Sequence, residues 1–362
     1  MTELDLLYTE VEEELRASVR SLLDARCDPD AVTRMYDADR AVVDGLWKAL
    51  SVEIGLGGLL IPEERGGAGG SLREAAVVLE ELGRRVAPVP FLTSAVIATT
   101  ALLESDTDLL GRIAQGEQTA ALAVAWSTCP TADVRTVQEL DGRLTGTITS
   151  VAGALEADIL LVPASTPDGT ALYAVPSGEA TLTPVVSLDM TRQLAHVTLD
   201  GAAGTLLTGD AADVIQRALE VGAALLASEQ LGLARWCLDA TVDYVKERRQ
   251  FGRIVGGFQA LKHRLADLYT GVESAAAAAR YAAATAAAGD PDASVAASVA
   301  QAYCAEVAVT AAEEAVQMHA GIGMTWEHPV HLYLKRAKAD QIALGTPGRH
   351  RARLAELVDL PR

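Results

Sequence analysis

One stretch of this sequence concentrates side chains able to hold a phosphorylated ligand. Arg248-Arg249-Gln250-Phe251-Gly252-Arg253 follows Lys246 and leads to Phe258-Gln259. A guanidinium fork meets phosphate oxygens two at a time, and a glutamine amide adds neutral polar contacts. A glycine lets a ligand approach the backbone. The same stretch closes a helix that starts near residue 213, and cations at a helix C-terminus also offset its dipole. That effect accounts for one or two of the charges, not for a cluster beside an aromatic ring and a glycine. On the residues alone, helix cap and anion site both stand.

Gln317-Met318-His319-Ala320-Gly321-Ile322-Gly323-Met324-Thr325-Trp326 is the second such feature. A long helix gives way there to small residues and then an aromatic. It is either a C-cap followed by a turn or a place where backbone lies close to a ligand. His319, His328 and His331 stand nearby without an HExxH or carboxylate spacing, so satisfied or surface histidines are expected rather than metal ligands. No GxSxG elbow supports a Ser/His/Asp triad. Gly66-Gly67-Ala68-Gly69-Gly70 precedes a helix, but no GK[ST] or strand-borne GxGxxG accompanies it, and a structural turn is expected.

The elements that must position these residues form three regions, an α+β, mostly α chain. Residues 1–116 read as an N-terminal helical domain. Leu6, Val11, Leu15, Val19 and Leu22 draw one apolar stripe, a second helix is expected over 41–54, and Ser71 with Glu74 forms a capping box for the next. Residues 117–208 read as a middle antiparallel β domain. Runs at 119–125, 143–150, 158–163, 171–175 and 194–199 are rich in Val, Thr and Leu and are punctuated by turn residues. No helical pattern is interleaved, which argues against a βαβ nucleotide fold. Residues 209–362 read as a C-terminal four-helix bundle, with stripes such as Leu231-Ala234-Leu238-Val242-Val245 and Val295-Val299-Ala302-Val309-Val316.

Composition narrows the partners. The chain has 362 residues, with 30 Lys and Arg against 49 Asp and Glu, a net charge of −19. That balance disfavours nucleic acid and anionic membrane surfaces. Aromatics are only 4% of residues, so aliphatic and alanine packing must build the core. The four cysteines, at 27, 129, 237 and 304, are far apart and suggest neither a disulfide framework nor zinc. Five acids in the first thirteen residues do not read as a secretory signal. No uncharged apolar run reaches membrane-spanning length, and a cytoplasmic location is expected.

The order helical, β, helical, carrying these motifs, resembles the acyl-CoA dehydrogenase family of flavoproteins. The likeness is carried by Leu46-Trp47, Ile54-Gly55-Leu56-Gly57-Gly58-Leu59-Leu60-Ile61-Pro62-Glu63 and Gly66-Gly67-Ala68-Gly69, and by Leu79-Glu80-Glu81-Leu82-Gly83. It continues through Leu188-Asp189-Met190-Thr191-Arg192, Arg248-Arg249-Gln250-Phe251-Gly252, Phe258-Gln259, His263-Arg264-Leu265-Ala266-Asp267 and Gln317–Gly323, in the family order. The resemblance implies FAD at a subunit interface. Arg248, Gln250, Phe251 and Gln259 would hold its pyrophosphate–adenosine half, Gln317 and Gly321 would line the same arm, and the ring would sit largely on the neighbouring subunit. It implies α,β-dehydrogenation of an acyl-CoA, with a glutamate taking the α-proton and electron-transfer flavoprotein as acceptor.

The departures are specific. The loop that carries the family's commonest catalytic glutamate reads Ile342-Ala343-Leu344-Gly345-Thr346-Pro347-Gly348, which puts Leu344 at the glutamate position. The alternative position on the preceding long helix falls at Gly222-Ala223, with Glu220 and Glu229 off it. The segment with flavin-ring and substrate contacts reads Ala125-Trp126-Ser127-Thr128-Cys129-Pro130-Thr131-Ala132-Asp133. One half-site is thus retained and the other eroded, a pattern similar to the smaller, base-lacking subunit of actinobacterial α2β2 acyl-CoA dehydrogenases, several of which act on steroid side-chain thioesters. Three readings follow from the resemblance. The chain is a subunit completed by a base-bearing partner, a self-sufficient homo-oligomer with Glu220 or Glu229 as base, or a non-catalytic acyl-CoA-binding or scaffold protein.

Overall fold

The computed structural model describes residues 4–134 and 137–360. The first third holds α1 (Glu10–Arg26), α2 (Pro29–Thr33), α3 (Ala41–Lys48), α4 (Leu72–Arg84), α5 (Thr99–Leu102) and α6 (Leu109–Ala114). Ser71 caps α4 and Glu74 returns to the Ser71 backbone, the expected box. The second expected helix is α3 continued by wider turns over Ala49–Glu53. The N–H groups of residues 67 to 70 donate to the carbonyls of Pro62, Gly58, Ile61 and Leu59. The glycine loop therefore spends its donors inside the fold and cradles nothing.

The face that α1 buries matches the expected stripe only in part: Val19 is buried and Leu15 and Leu22 pack against the core. Val11 is 63% exposed, while Glu12, Arg16, Val19 and Leu23 are buried. Arg73 neutralises Glu12 at 2.6 Å, and Arg16 reaches Glu80 at 3.2 Å and Glu81 at 3.0 Å. Paired charges let the first half of the helix dock through polar groups.

The middle third holds β1 (Ala120–Leu122), β2 (Val137–Leu140), β3 (Arg143–Ala152), β4 (Ile159–Thr166), β5 (Gly169–Pro176), β6 (Thr181–Val185), β7 (Leu194–Ala203) and β8 (Thr205–Thr208). They form one sheet in the order β6-β7-β3-β2-β4-β5-β8, with β1 beside β4. Its ladders are antiparallel except that β4 pairs in parallel with β1 and with β2. A second apolar core lies within the sheet, around Leu144, Ile148, Leu160, Val162, Val175, Val197 and Leu199. The short strands β2, β6 and β8 alternate too weakly in hydrophobicity to be read from sequence.

The last third holds α7 (Ala212–Glu247), the hairpin β9 (Arg249–Gln250) and β10 (Arg253–Ile254), then α8 (Gln259–Ala288), α9 (Ala293–His319), α10 (Val330–Ile342) and α11 (Pro347–Leu357). One apolar core joins α4, the run 91–102 and the helices from α7 to α10. Backbone meets backbone where α4 crosses α7. A methyl group on Gly83 would collide with the Glu229 carbonyl, and one on Gly232 with the Glu80 carbonyl. The buried face of α9 is mostly alanine, at 296, 297, 300, 302, 305, 308, 311, 312 and 315; Ala302 and Val309 of the expected stripe are buried, while its Val299 is 39% exposed. By length and composition the run Ala293–Met324 could cross a membrane, but most of its apolar stretch is buried among the other helices.

Candidate functional site

Two helix ends and a hairpin build a cleft of about 720 Å³. The helix α7 stops at Arg248, whose N–H donates to the Tyr244 carbonyl at 2.9 Å. The chain then reverses through Phe251 and Gly252, both at positive φ (52° and 73°), so that β10 pairs with β9. Phe251 is left 86% exposed at the hairpin tip. Arg253 turns inward, lying 4.4 Å from the centre of the Phe258 ring and donating to the Gly257 carbonyl at 2.6 Å. Arg248 and Arg249 are exposed. Among the described residues neither has an ion-pair partner, whereas Lys246 keeps Asp243 at 3.8 Å.

The opposite wall is the end of α9. Gln317, His319, Gly321 and Ile322 face Arg248, Gln250 and Phe251 across the cleft, with Tyr244, Phe258 and Arg264 completing the lining. A methyl group on Gly321 would meet nothing within 4 Å. Neither strain nor packing calls for glycine there, and its bare backbone stays open to a ligand. Of the six residues expected to hold a cofactor, Arg248, Gln250, Phe251, Gln317 and Gly321 come together. Gln259 does not line the cleft; it opens α8 with its side chain exposed. Tyr244 and His319 were missed. The only sequence signal was that Tyr244 stands one helical turn before Arg248 and His319 next but one to Gln317.

The unpaired Arg248 guanidinium, amides, aromatic rings and open backbone fit the adenosine diphosphate half of FAD. The rings do not gather a metal. The His319 and His328 rings lie with centres 4.4 Å apart, tilted by 43°, and His331 packs edge-on against Trp326 at 4.6 Å. Burial pushes all three imidazoles below their ordinary range, His331 to about 4.

The second expected centre is closed. Leu344 is 1% exposed and donates its N–H to the Trp126 carbonyl at 2.8 Å. Around it stand Thr93, Ile97, Leu122, Val124, Trp126, Ala152 and Leu219, and the space left is about 10 Å³. A methyl group on Gly222 would lie 2.8 Å from Ile97 and 3.1 Å from Leu344. This interior has no carboxylate and no room for a ring.

Glu229 is not a base in waiting. Arg192 binds both its oxygens at 2.8 and 2.6 Å, and Arg336 binds Oε1 at 2.6 Å. Burial alone would raise its pKa; the two guanidinium groups outweigh burial and hold it below the usual carboxylate range. Asp189 reaches Arg336 at 2.6 Å and Asp340 reaches Arg192 at 2.7 Å. That leaves three carboxyls for two guanidinium groups. Burial and the Glu229 charge push Asp340 well above its ordinary value, against the opposing pull of Arg192 and Arg336. Glu220 is half-buried, accepting from Gln216 at 3.4 Å and Ser294 at 3.3 Å. It lines a different small space, with Cys129, His350 and Arg353, and does not line the one around Leu344.

Comparison with known proteins agrees with this geometry. Residues 9–116 match the family described as acyl-CoA dehydrogenase, N-terminal domain, and residues 209–358 match acyl-CoA dehydrogenase, C-terminal domain. The chain is 36% identical over 346 residues to acyl-CoA dehydrogenase IpdE2 of Mycolicibacterium smegmatis, covering 96% of this chain and 98% of the relative. Its fold is similar to a chain of the ChsE4-ChsE5 complex from Mycobacterium tuberculosis, with a TM-score of 0.87, 29% identity and 99% and 100% of the two chains covered. It is also similar to a chain of the Tcur3481-Tcur3483 steroid ACAD G363A variant, with a TM-score of 0.85, 30% identity and 97% and 98% covered.

Proposed function

Because the chain belongs to the acyl-CoA dehydrogenase family, whose members are FAD-dependent oxidoreductases, we propose that it is the base-lacking subunit of a heteromeric acyl-CoA dehydrogenase. One observation carries the reading. The family's glutamate position holds Leu344, and Leu344 is packed in a filled apolar interior. A leucine takes no proton, and burial leaves no path for a water to act in its place.

What this chain contributes is the cleft. Arg248 would neutralise the FAD diphosphate, Gln250 and Gln317 would supply neutral polar contacts, Phe251 an aromatic face, and Gly321 an open stretch of backbone. Bound there, FAD supplies the hydride acceptor for α,β-dehydrogenation of an acyl-CoA thioester. The base and the ring pocket come from a second acyl-CoA dehydrogenase subunit, giving α2β2 with two FADs. Two structural relatives carry paired names, and one is titled a steroid ACAD; both favour a bulky acyl group of the steroid side-chain class. Electron-transfer flavoprotein is the acceptor the family implies. Four buried free cysteines suit the reducing cytoplasm.

Two measurements test this. Charge-assisted contacts to phosphate contribute about 1.5–3 kcal/mol each, so Arg248→Ala should weaken FAD retention at least about tenfold. Turnover of acyl-CoA with an artificial acceptor should be negligible for the purified chain and appear on co-expression with a base-bearing family member. A homotetramer of this chain holding four FADs and turning over unaided would overturn the proposal and make Glu220 the carboxylate to replace next.

A further inference from the structure

We propose that His319 is a positioning residue of the nucleotide cleft: its ring is the strut that sets the distance between the Arg248 arm and the Gln317–Gly321 arm. The inference rests on the cleft reading above.

The two arms belong to different helices. Arg248 caps α7, and Gln317 to Gly321 end α9. Something must fix their separation if both are to meet one diphosphate, because misplacing either contact by an ångström forfeits much of its worth. The hairpin tip cannot do it, since Phe251 is 86% exposed. At the rim, Arg264 meets Glu314 at 2.7 Å, but Arg264 is exposed, and such pairs contribute little.

The buried tie is aromatic. His319 is 1% exposed, and its ring stacks on Tyr244 with centres 4.4 Å apart and planes 25° from parallel. Tyr244 is the residue whose carbonyl receives the Arg248 N–H, so one face of the imidazole registers the Arg248 arm directly. His328 also lies against it, ring centres 4.4 Å apart and planes tilted by 43°. Nδ1 lies 2.7 Å from the Ala315 carbonyl, which places the proton on Nδ1 and fixes the ring's rotation. The backbone supplies a second, independent mark. Ala320, next in the chain, is held at φ 55° and ψ −135°, a conformation that side chains disfavour and that persists only where its surroundings impose it. A clamped His319 on one side and the turn into Gly321 on the other impose it. Unstacking the ring would release that turn and let Gly321 drift from Arg248.

The test titrates FAD and, separately, ADP into the chain co-expressed and co-purified with a base-bearing family member, comparing wild type, His319→Ala and His319→Phe. Stacked pairs of this kind predict that His319→Ala loses about tenfold in affinity. FAD and ADP should lose by the same factor, because the arm touches only their common half. His319→Phe keeps a flat ring against Tyr244 and His328 and should stay within about threefold of wild type. Should His319→Ala fail to fold, Tyr244→Leu against Tyr244→Phe reads the same stack from its other side, with the same ordering expected. The inference is overturned if His319→Ala binds like wild type, if His319→Phe is as weak as His319→Ala, or if FAD weakens while ADP does not. A wild-type chain that takes up neither ligand would sink the cleft reading itself, and this inference with it.

Discussion

The backbone N–H of Leu344 donates to the carbonyl of Trp126 at 2.8 Å, tying the loop where the family carries a base to the segment where it carries flavin-ring contacts. Both side chains are buried against each other's surroundings, and the Arg192 guanidinium lies 5.2 Å from the centre of the Trp126 ring. The two departures noticed separately along the chain are one packed unit.

Restoring the missing carboxyl alone should therefore fail. Leu344→Glu places an acid with no cation and no water in an apolar interior, at a cost of several kcal/mol. The acid would stay protonated through neutral pH. A clear drop in melting temperature with no turnover by the isolated variant is expected. An L344E chain that is as stable as wild type and reduces an artificial acceptor with acyl-CoA would disprove the filled interior.

The crossing of α4 and α7 makes a second prediction. At Gly232 and Gly83 even one methyl group would overlap a carbonyl of the other helix. Gly232→Ala should cost about 1–3 kcal/mol or more in urea unfolding, because two helix backbones must part to admit it. Gly45→Ala is the control: a methyl there meets nothing within 4 Å, and alanine favours the helix, so it should be neutral or slightly stabilising.

Glu229→Gln separates the structural role from the catalytic one. The glutamate compensates two buried arginines, and removing its charge should cost about 3–5 kcal/mol at neutral pH. Its carboxyl is held below the ordinary range, so it contributes stability above its unfolded value, and that contribution is lost as pH falls through the folded one. The gap between wild type and E229Q should narrow below about pH 4. A gap that widens in acid, or a variant as stable as wild type at pH 7, contradicts the assignment.

Asp340 should behave in the opposite sense. Its folded pKa is raised, so ionisation of the unfolded chain above about pH 4 progressively disfavours the folded state. Asp340→Asn mimics the neutral acid at every pH. Relative to wild type, the melting temperature of D340N should rise steadily from pH 5 to pH 8; a difference independent of pH would show that Asp340 is ionised in the fold.

Local chemistry was legible along the chain wherever it depends on neighbours in sequence. The Ser71–Glu74 cap, five of the eight sheet strands and the helix running to the Arg248 cluster all follow from residue type and short spacing. What only the tertiary structure decided involves partners far apart in the chain. Val11 faces water because Glu12 and Arg16 found Arg73, Glu80 and Glu81. Alanine, with Val309, forms most of the inner face of α9, because helices crowd it on several sides and small side chains admit them. Glu229 looked like a free acid until Arg192, from a loop of the sheet, and Arg336, from α10, closed on it. His319 read as a satisfied or surface histidine until α7 brought Tyr244 against it. In each case the residue's role is set by which charge or ring the fold brings within a few ångströms, and spacing along one helix carries no record of that.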